Sequence, residues 1–213
     1  MKKKPLIGIV DTETSNIKSV FYALSSLNVD IAYITSKENA PKVDAIVVPG
    51  IGNFGFVMRK LKERKLDEFI IEKISKNLPG LFICVGMQIL FSKSEELGMH
   101  EGLSLLEGKI RKIDIYNNKG KKVRNVPMIG WSQIVKIKDC NLLKGSNQNS
   151  FFYFTHSFFA DPKDKKIISS KNNYLGFEYC ASISKNNIFA TQFHPEKSGE
   201  TGIKLYENFI KEI

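Results

Sequence analysis

Cysteines are few in this sequence and long apolar runs are absent, and each shortage excludes a class of protein. The 213 residues include three cysteines, an odd number without the spacing of a metal site: Cys84, Cys140 and Cys180. This pattern favours a reducing compartment, the cytoplasm, over a disulfide-bonded secreted protein. No stretch of 18 apolar residues occurs, so we expect no transmembrane helix. The apolar run Leu6 to Val10 is too short for a signal peptide and is broken by Asp11.

Arginine is also scarce, which weighs against nucleic-acid binding despite a formal net charge of +10. Of the 32 basic residues only four are arginines, leaving 28 lysines spread along the whole chain. Base readout relies on arginine side chains, and a nucleic-acid-binding face requires clustered charge. We therefore expect a lysine-rich solvated surface, with neither a nucleic acid nor a membrane as partner.

The apolar residues, 42% of the chain, are sufficient for a core, and their pattern in the first half predicts a parallel sheet. Four short apolar runs are typical of buried parallel strands: "LIGIVD", "DIAYIT", "AIVVPG" and "LFIC". Helical spacing predicts helices from Ile17 to Leu27 and from Phe56 to Lys76, and a further helix beginning at Met87 to Ser92. Alternating strands and helices indicate an α/β fold whose mostly parallel central sheet is flanked by helices.

The second half of the chain has a strand period and adds antiparallel strands to this fold. The predicted strands are "GKIRKIDIY", "KKVRNV", "SQIVKIK", "SFFYFTHSFF", "KIISS" and "IFATQFH". A closing helix is predicted from Gly199 to Ile213. With no linker or repeat between the halves, we expect one domain over residues 1–213.

Cys84 lies where an apolar strand turns into a helix, in "LFICVGMQIL". Backbone N–H groups and the helix dipole at such a corner stabilise a thiolate. The N–H of Val85 can then point at an oxyanion beside the sulfur. Gly86 allows the helix to start close to a substrate. A buried structural cysteine is the equally weighted alternative at this stage.

Two further segments carry chemistry. In "FATQFHPEKS", His194 and Glu196 flank a proline at a strand end, and residues two apart in extended chain point the same way. The carboxylate can therefore orient the imidazole, as a triad acid does. In "VVPGIGNFG", glycines follow a strand, and the segment Gly50, Ile51 and Gly52 suits an oxyanion donor, although ordinary turns look similar.

In this order and spacing, these segments resemble the class I, triad-type glutamine amidotransferases. The chain is similar in particular to the glutaminase subunits of imidazole glycerol phosphate synthase, of histidine biosynthesis. "CVGMQ" and "FHPEKS" are specific for the class, whereas "PMIGW" and "PGIGNFG" point to the subfamily. Further matches, which extend the resemblance over nearly the whole chain, are "SNIKSV", "SEELGMHEGLSLLEGKI", "YFTHSFF" and "QFHPEKSGETGIKLYENF".

The resemblance implies the residues of a mechanism without metal or cofactor. Cys84 attacks the carboxamide of L-glutamine to form a thioester, His194 transfers protons, and Glu196 orients the histidine. Four residues match positions that hold the glutamine: Gln88, His156, Ser157 and Phe158.

The resemblance also implies a partner. Ammonia passes to a (β/α)8 barrel cyclase, which forms imidazole glycerol phosphate and AICAR and activates the glutaminase. Asn16, Trp131 and Lys197 match positions that face this synthase in a heterodimer. A core tryptophan and a solvated lysine are the simpler alternatives at the latter two positions.

Two departures from the family pattern keep other functions open. Phe82 replaces the first glycine of the usual Gly-x-Cys-x-Gly elbow, and the loop facing the partner reads "DTETSNIKSV", with Thr12, Glu13 and Ser15. A changed loop permits a changed partner, so one alternative is a subunit that supplies ammonia to a sugar amidotransferase of surface glycan synthesis. A catalytically silent, partner-binding subunit is a third possibility, disfavoured by the intact Cys84, His194 and Glu196.

Overall fold

The computed structural model describes residues 4–13, 17–116, 120–123, 126–146 and 150–213. The helices are α1 (Ile17–Ser25), α2 (Phe54–Glu63), α3 (Leu66–Ser75), α4 (Val85–Ile89) and α5 (Gly199–Ile210). The strands are β1 (Leu6–Val10), β2 (Asp30–Ile34), β3 (Ala45–Gly50), β4 (Gly80–Cys84), β5 (Phe91–Ser94), β6 (His100–Glu101), β7 (Leu106–Lys112), β8 (Ile115–Tyr116), β9 (Lys122–Val123), β10 (Met128–Gln133), β11 (Val135–Lys136), β12 (Phe151–His156), β13 (Phe158–Pro162), β14 (Ile168–Tyr174), β15 (Phe177–Lys185) and β16 (Ile188–Thr191). No helix among these residues has the length and apolar character needed to cross a membrane.

The main sheet has the order β11-β14-β15-β16-β4-β3-β1-β2. The pairs β2–β1, β1–β3, β3–β4 and β4–β16 are parallel, and every residue of β3 and β4 is buried. Continuous apolar runs form such strands because both faces of the sheet are covered. The predicted α/β fold with a mostly parallel central sheet is confirmed.

The antiparallel strands of the second half are also confirmed. β15, β14 and β11 extend the main sheet beyond β16, each antiparallel to its neighbour, and β13-β7-β5-β6 form a second sheet. β10 pairs with β12 as an antiparallel ribbon. β12 and β13 come from the predicted strand "SFFYFTHSFF", which the structure divides at Ser157.

Two predicted helices differ from the structure, and one long strand was not predicted. The helix expected from Phe56 to Lys76 is two helices, because Lys65 has a left-handed backbone (φ 54°). The break places the guanidinium of Arg64 against the carbonyls of Asp11 and Thr35. The helix after the elbow ends at Ile89, where the chain passes into β5. β15 has no counterpart among the predicted strands.

Phe82 is accommodated in the core of β4. Its side chain is fully buried, and its ring occupies the space beside Gly80, where an added Cβ would lie 2.8 Å from the ring. Gly80 and Phe82 point to the same face because they are two residues apart in a strand. The room for the aromatic side chain is thus provided two residues earlier in the same strand.

Candidate active site

Cys84 forms a sharp corner between β4 and α4. Its backbone has φ 55° and ψ −109°, a conformation that non-glycine residues adopt rarely and mostly at functional sites. The strand-to-helix turn predicted from the sequence is therefore present. α4 has only five residues, so few peptide dipoles are aligned behind the sulfur. The helix thus provides less electrostatic stabilisation than a long helix would.

Gly86 lies where α4 packs closely on the central sheet. A Cβ at Gly86 would lie 2.0 Å from the carbonyl oxygen of Val48 in β3. The glycine therefore lets α4 pack against β3 without a clash. Gly50 lies behind the same corner, where an added Cβ would be 2.9 Å from the Gly86 nitrogen.

His194 and Glu196 form a buried pair beside the elbow. β16 runs parallel to β4 with Thr191 opposite Ile83, so the residues that follow these two strands meet at one edge of the sheet. His194 Nδ1 lies 2.7 Å from Glu196 Oε1, and both side chains are almost fully buried. Burial acts to lower the pKa of His194, but the Cys84 sulfur and the Glu196 carboxylate outweigh it and raise the pKa to about 10.

His156, on β12, has both ring nitrogens occupied. Nδ1 lies 2.9 Å from the carbonyl oxygen of Phe158, to which it can only donate, and Nε2 lies 3.0 Å from the hydroxyl of Tyr179. Burial lowers the pKa of His156 to about 4, so the ring is neutral and Nε2 accepts a hydrogen bond from the Tyr179 hydroxyl. A histidine held in this way has no free nitrogen to act as a base.

A pocket of about 260 Å³ opens at the sulfur of Cys84. It brings together eight of the predicted site residues: Cys84, Val85, Ile51, Gly52, Gln88, His156, Ser157 and Phe158. Lys197 lines it as well, whereas Gly50 does not. Gln88 is held by a hydrogen bond from Nε2 to the Phe158 carbonyl, 2.9 Å long.

A sequence profile described as "Glutamine amidotransferase class-I" matches residues 8–213. The chain belongs to the class I glutamine amidotransferase family. It is accordingly an enzyme of the glutamine amidotransferase type.

Two relatives of this amidotransferase carry the same name, imidazole glycerol phosphate synthase subunit HisH. The one from Pyrococcus furiosus is 43% identical over 204 residues, covering 95% of this chain and 97% of the relative. The one from Methanocaldococcus jannaschii is 40% identical over 206 residues, covering 97% and 99%. Among solved structures, PurLQS from Thermotoga maritima has a TM-score of 0.73 at 18% identity, covering 98% of this chain and 99% of that one. This last similarity concerns the fold alone.

The amidotransferase pocket contains residues that the sequence analysis did not single out. Glu96 and Thr155 line it, and Gln192 is buried beneath it, next to Cys84. Glu96 Oε2 accepts a hydrogen bond of 2.7 Å from the Phe54 N–H at the start of α2. Burial raises the pKa of Glu96, which this hydrogen bond offsets in part. No local signal in the sequence separates Gln192 from an ordinary strand amide, since its contact with Cys84 bridges 108 residues.

Of the predicted partner-facing residues that are described, Lys197 lines the pocket, whereas Trp131 does not but contacts the same tyrosine ring as Lys197. Trp131, on β10, is 56% exposed and packs edge-to-face on Tyr153 of β12, with ring centroids 6.2 Å apart. A core position for Trp131 is therefore wrong. Lys197 Nζ lies 5.6 Å from the centroid of the same tyrosine ring. Asn16 lies outside the described residues.

The altered first loop contacts both α2 and the glycine segment. The Thr12 hydroxyl donates to the carbonyl of Pro49, 3.2 Å away and directly before Gly50. Glu13 forms ion pairs with Lys60 at 3.2 Å and with Arg64 at 3.6 Å. Thr12 and Glu13 thus hold this loop against the end of β3 and against α2.

Proposed function

We propose that this chain is the glutaminase subunit of an imidazole glycerol phosphate synthase. It hydrolyses L-glutamine to glutamate and supplies the ammonia to a (β/α)8 barrel cyclase of histidine biosynthesis in the cytoplasm. The observation that carries this proposal is the buried His194–Glu196 pair beside Cys84, in a chain whose full-length relatives are named HisH. Residues 1–213 are proposed to form one amidotransferase domain.

The first half of the reaction forms a thioester. His194 takes the proton of the Cys84 thiol, the sulfur attacks the carboxamide carbon of glutamine, and the carbonyl oxygen takes the negative charge. The N–H of Val85, a first-turn donor without an intrahelical partner, and the backbone of Ile51 and Gly52 can stabilise that oxyanion. The protonated His194 donates to the departing nitrogen, and ammonia leaves as the C–N bond breaks.

The second half regenerates the enzyme. His194, now neutral, removes a proton from water, and the resulting hydroxide attacks the thioester carbon. The C–S bond breaks and releases glutamate. Throughout, the hydrogen bond between Nδ1 and Glu196 holds the imidazole in one orientation and leaves Nε2 for the transfers.

The pocket also contains groups that can bind the part of glutamine beyond its carboxamide. Glu96 presents a carboxylate that can pair with the α-ammonium group of glutamine. Gln88, Ser157 and Phe158 form the wall, and His156 fixes that wall through the Phe158 carbonyl. A pocket with these charges suits a small zwitterion rather than an apolar ligand.

The isolated chain should hydrolyse glutamine slowly, and the barrel cyclase with its nucleotide substrate bound should accelerate it. The reason is that Gly52, in the oxyanion segment, has φ 94° and no neighbour within 4 Å of an added Cβ, so nothing described holds this segment from that side. Glutamate release is measured with and without purified cyclase. An increase of about a hundredfold or more in kcat/KM corresponds to aiming one oxyanion donor.

Three outcomes separate the proposed function from its alternatives. A high basal rate that no partner changes contradicts the need for a synthase. Failure of the cyclase to bind the wild-type chain moves a sugar amidotransferase to first place, and its synthase is then the partner to add. Absence of glutamate release under every condition supports a silent, partner-binding subunit.

Trp131→Ala and Lys197→Ala should weaken association with the cyclase or uncouple glutamine hydrolysis from product formation. Trp131 offers exposed apolar area on one side of the Tyr153 ring, and Lys197 provides a charge on the same ring and at the pocket wall. Each truncation should raise Kd by roughly tenfold or more. Titration calorimetry measures Kd, and the ratio of glutamate to product measures coupling.

Matched controls are Leu175→Ala and Lys76→Ala, since both residues are exposed and neither lines the pocket. These variants should bind as the wild type does. Unchanged affinity and unchanged coupling in both the Trp131 and the Lys197 variant would show that this face does not contact the cyclase.

A further inference from the structure

Gln192 is a fully buried amide that contacts the sulfur of Cys84. It follows the last residue of β16, and its Nε2 lies 3.6 Å from Cys84 Sγ, within range of an N–H to sulfur hydrogen bond. Its Oε1 lies 3.1 Å from Nε2 of Gln88. Gln192 therefore connects the elbow to the wall of the pocket.

The hydrogen bonds determine which end of this amide faces the sulfur. A backbone carbonyl accepts but cannot donate, so the Gln88 atom opposite the Phe158 oxygen must be nitrogen. The second hydrogen of that nitrogen points to Gln192, whose facing atom must then be oxygen. The remaining end of Gln192, directed at Cys84, is therefore the NH₂ group.

We propose that Gln192 is a fourth catalytic residue, whose N–H stabilises the negatively charged sulfur of Cys84 and is oriented by Gln88 and the Phe158 carbonyl. The inference rests on the proposed function for the identity of the nucleophile. A hydrogen bond to a charged acceptor in a buried site is stronger than one between neutral groups. With α4 only five residues long, a side-chain donor supplies what the helix terminus provides weakly.

The competing explanation is purely structural, with Gln192 filling space and anchoring Gln88. The two roles differ in what they do to sulfur chemistry when no substrate is present. A donor to the sulfur changes how readily Cys84 is alkylated and at which pH. A space-filling residue changes the thermal midpoint or the affinity for glutamine instead.

The test measures the rate of Cys84 alkylation by iodoacetamide against pH in the isolated chain, with each cysteine followed by mass spectrometry. Gln192→Leu removes the whole amide. Gln192→Glu keeps an oxygen for Gln88 but loses the donor to the sulfur. In both variants, Cys84 alkylation at pH 7 should slow by about tenfold, and the midpoint of its pH profile should rise by about one unit.

Several titratable groups surround Cys84, and the Gln192 substitutions leave all of them in place. They are His194 on the turn after β16, Lys197 on the same turn, His156 on β12, Tyr179 on β15 and Glu96 after β5. Two controls accompany the variants. Cys140, partly exposed, reports alkylation elsewhere in the same chain. Thr191→Val changes the buried neighbour of Gln192, whose hydroxyl bonds the Phe193 carbonyl, and should leave Cys84 alkylation unchanged.

An unchanged Cys84 profile in a folded Gln192→Leu or Gln192→Glu protein would overturn the proposal, whatever happens to stability or glutamine binding. Circular dichroism and thermal unfolding identify which variants are folded. The assay requires no turnover and no cyclase. A wild-type chain that alkylates as predicted but never releases glutamate would therefore refute the proposed function and leave the role of Gln192 intact.

Discussion

Cys84→Ala should abolish glutamine hydrolysis while the chain remains folded. The sulfur is the nucleophile in the proposed reaction, and no other described side chain in the pocket can form the thioester. Alanine is only slightly smaller than cysteine, so the elbow should retain its backbone. Glutamate release should fall to background, and circular dichroism should be unchanged. Cys84→Ser should be almost as inactive because a hydroxyl is a much weaker nucleophile here.

The other two cysteines provide the control. Cys180 is buried on β15, where burial raises its pKa to about 12, and Cys140 lies outside the pocket. Cys140→Ala and Cys180→Ala should keep wild-type glutaminase rates wherever they fold. A glutamine analogue carrying an electrophile should label Cys84 alone. Labelling of Cys140 or Cys180 with Cys84 left free would show that the nucleophile is misidentified.

His194→Ala should reduce glutamine hydrolysis nearly as much as Cys84→Ala does, and Glu196→Gln should reduce it less. Removing the base eliminates proton transfer in both halves of the reaction, at a cost of several kcal/mol, or about 10⁴-fold or more in kcat. Removing the carboxylate leaves the imidazole in place but free to adopt the wrong tautomer, so a smaller loss, about 10²- to 10⁴-fold, is expected. Single-turnover kinetics with saturating glutamine isolates the chemical step.

Two measurements check this assignment of the histidines. His156→Ala should raise KM more than it lowers the chemical step, and equal damage to that step with glutamine binding intact would mean that His156 is the base. The stability contribution of His194 is full below pH 6.5, its ordinary pKa, and is lost as pH rises through about 10. The stability difference between the wild type and His194→Ala should therefore shrink over that range of pH.

The parallel half of the sheet and the catalytic pair could be predicted because their signals are local. β1, β3 and β4 are continuous apolar runs, as is typical of buried parallel strands. The two-residue spacing identified His194 and Glu196, but the extended chain expected there is wrong, because Pro195–Lys197 form a 3-10 helix that brings Glu196 Oε1 to His194 Nδ1. β15 was missed because its buried stretch contains Ala181 and Ser182 rather than large β-branched residues in alternation. The Ser182 hydroxyl is accommodated there by hydrogen bonds to Ser169 and Ser170 of β14, which come from another part of the chain.

The lengths of some elements and the long-range contacts of the site could not be predicted from the sequence. Apart from Gln88, the residues from Met87 to Phe91 are apolar, which suits a buried helix and a buried strand equally, so the end of α4 at Ile89 could not be determined from periodicity. Glu96 looks like a surface carboxylate until Phe54, 42 residues earlier in the sequence, is brought against it. Gln192 resembles an ordinary strand amide, and only the pairing of β16 with β4 shows that it faces the sulfur.

That same pairing determines when activity can arise during synthesis. Gln192 and Cys84 are 108 residues apart, and they meet only after two parallel strands from opposite parts of the chain have paired. Contacts of such sequence separation form late, since loop closure must precede them. A nascent chain still holding residues 188–196 in the ribosome has a nucleophile without its base. Such a nascent chain is therefore not expected to hydrolyse glutamine. Glutaminase activity should appear only after β16 has paired in register with β4.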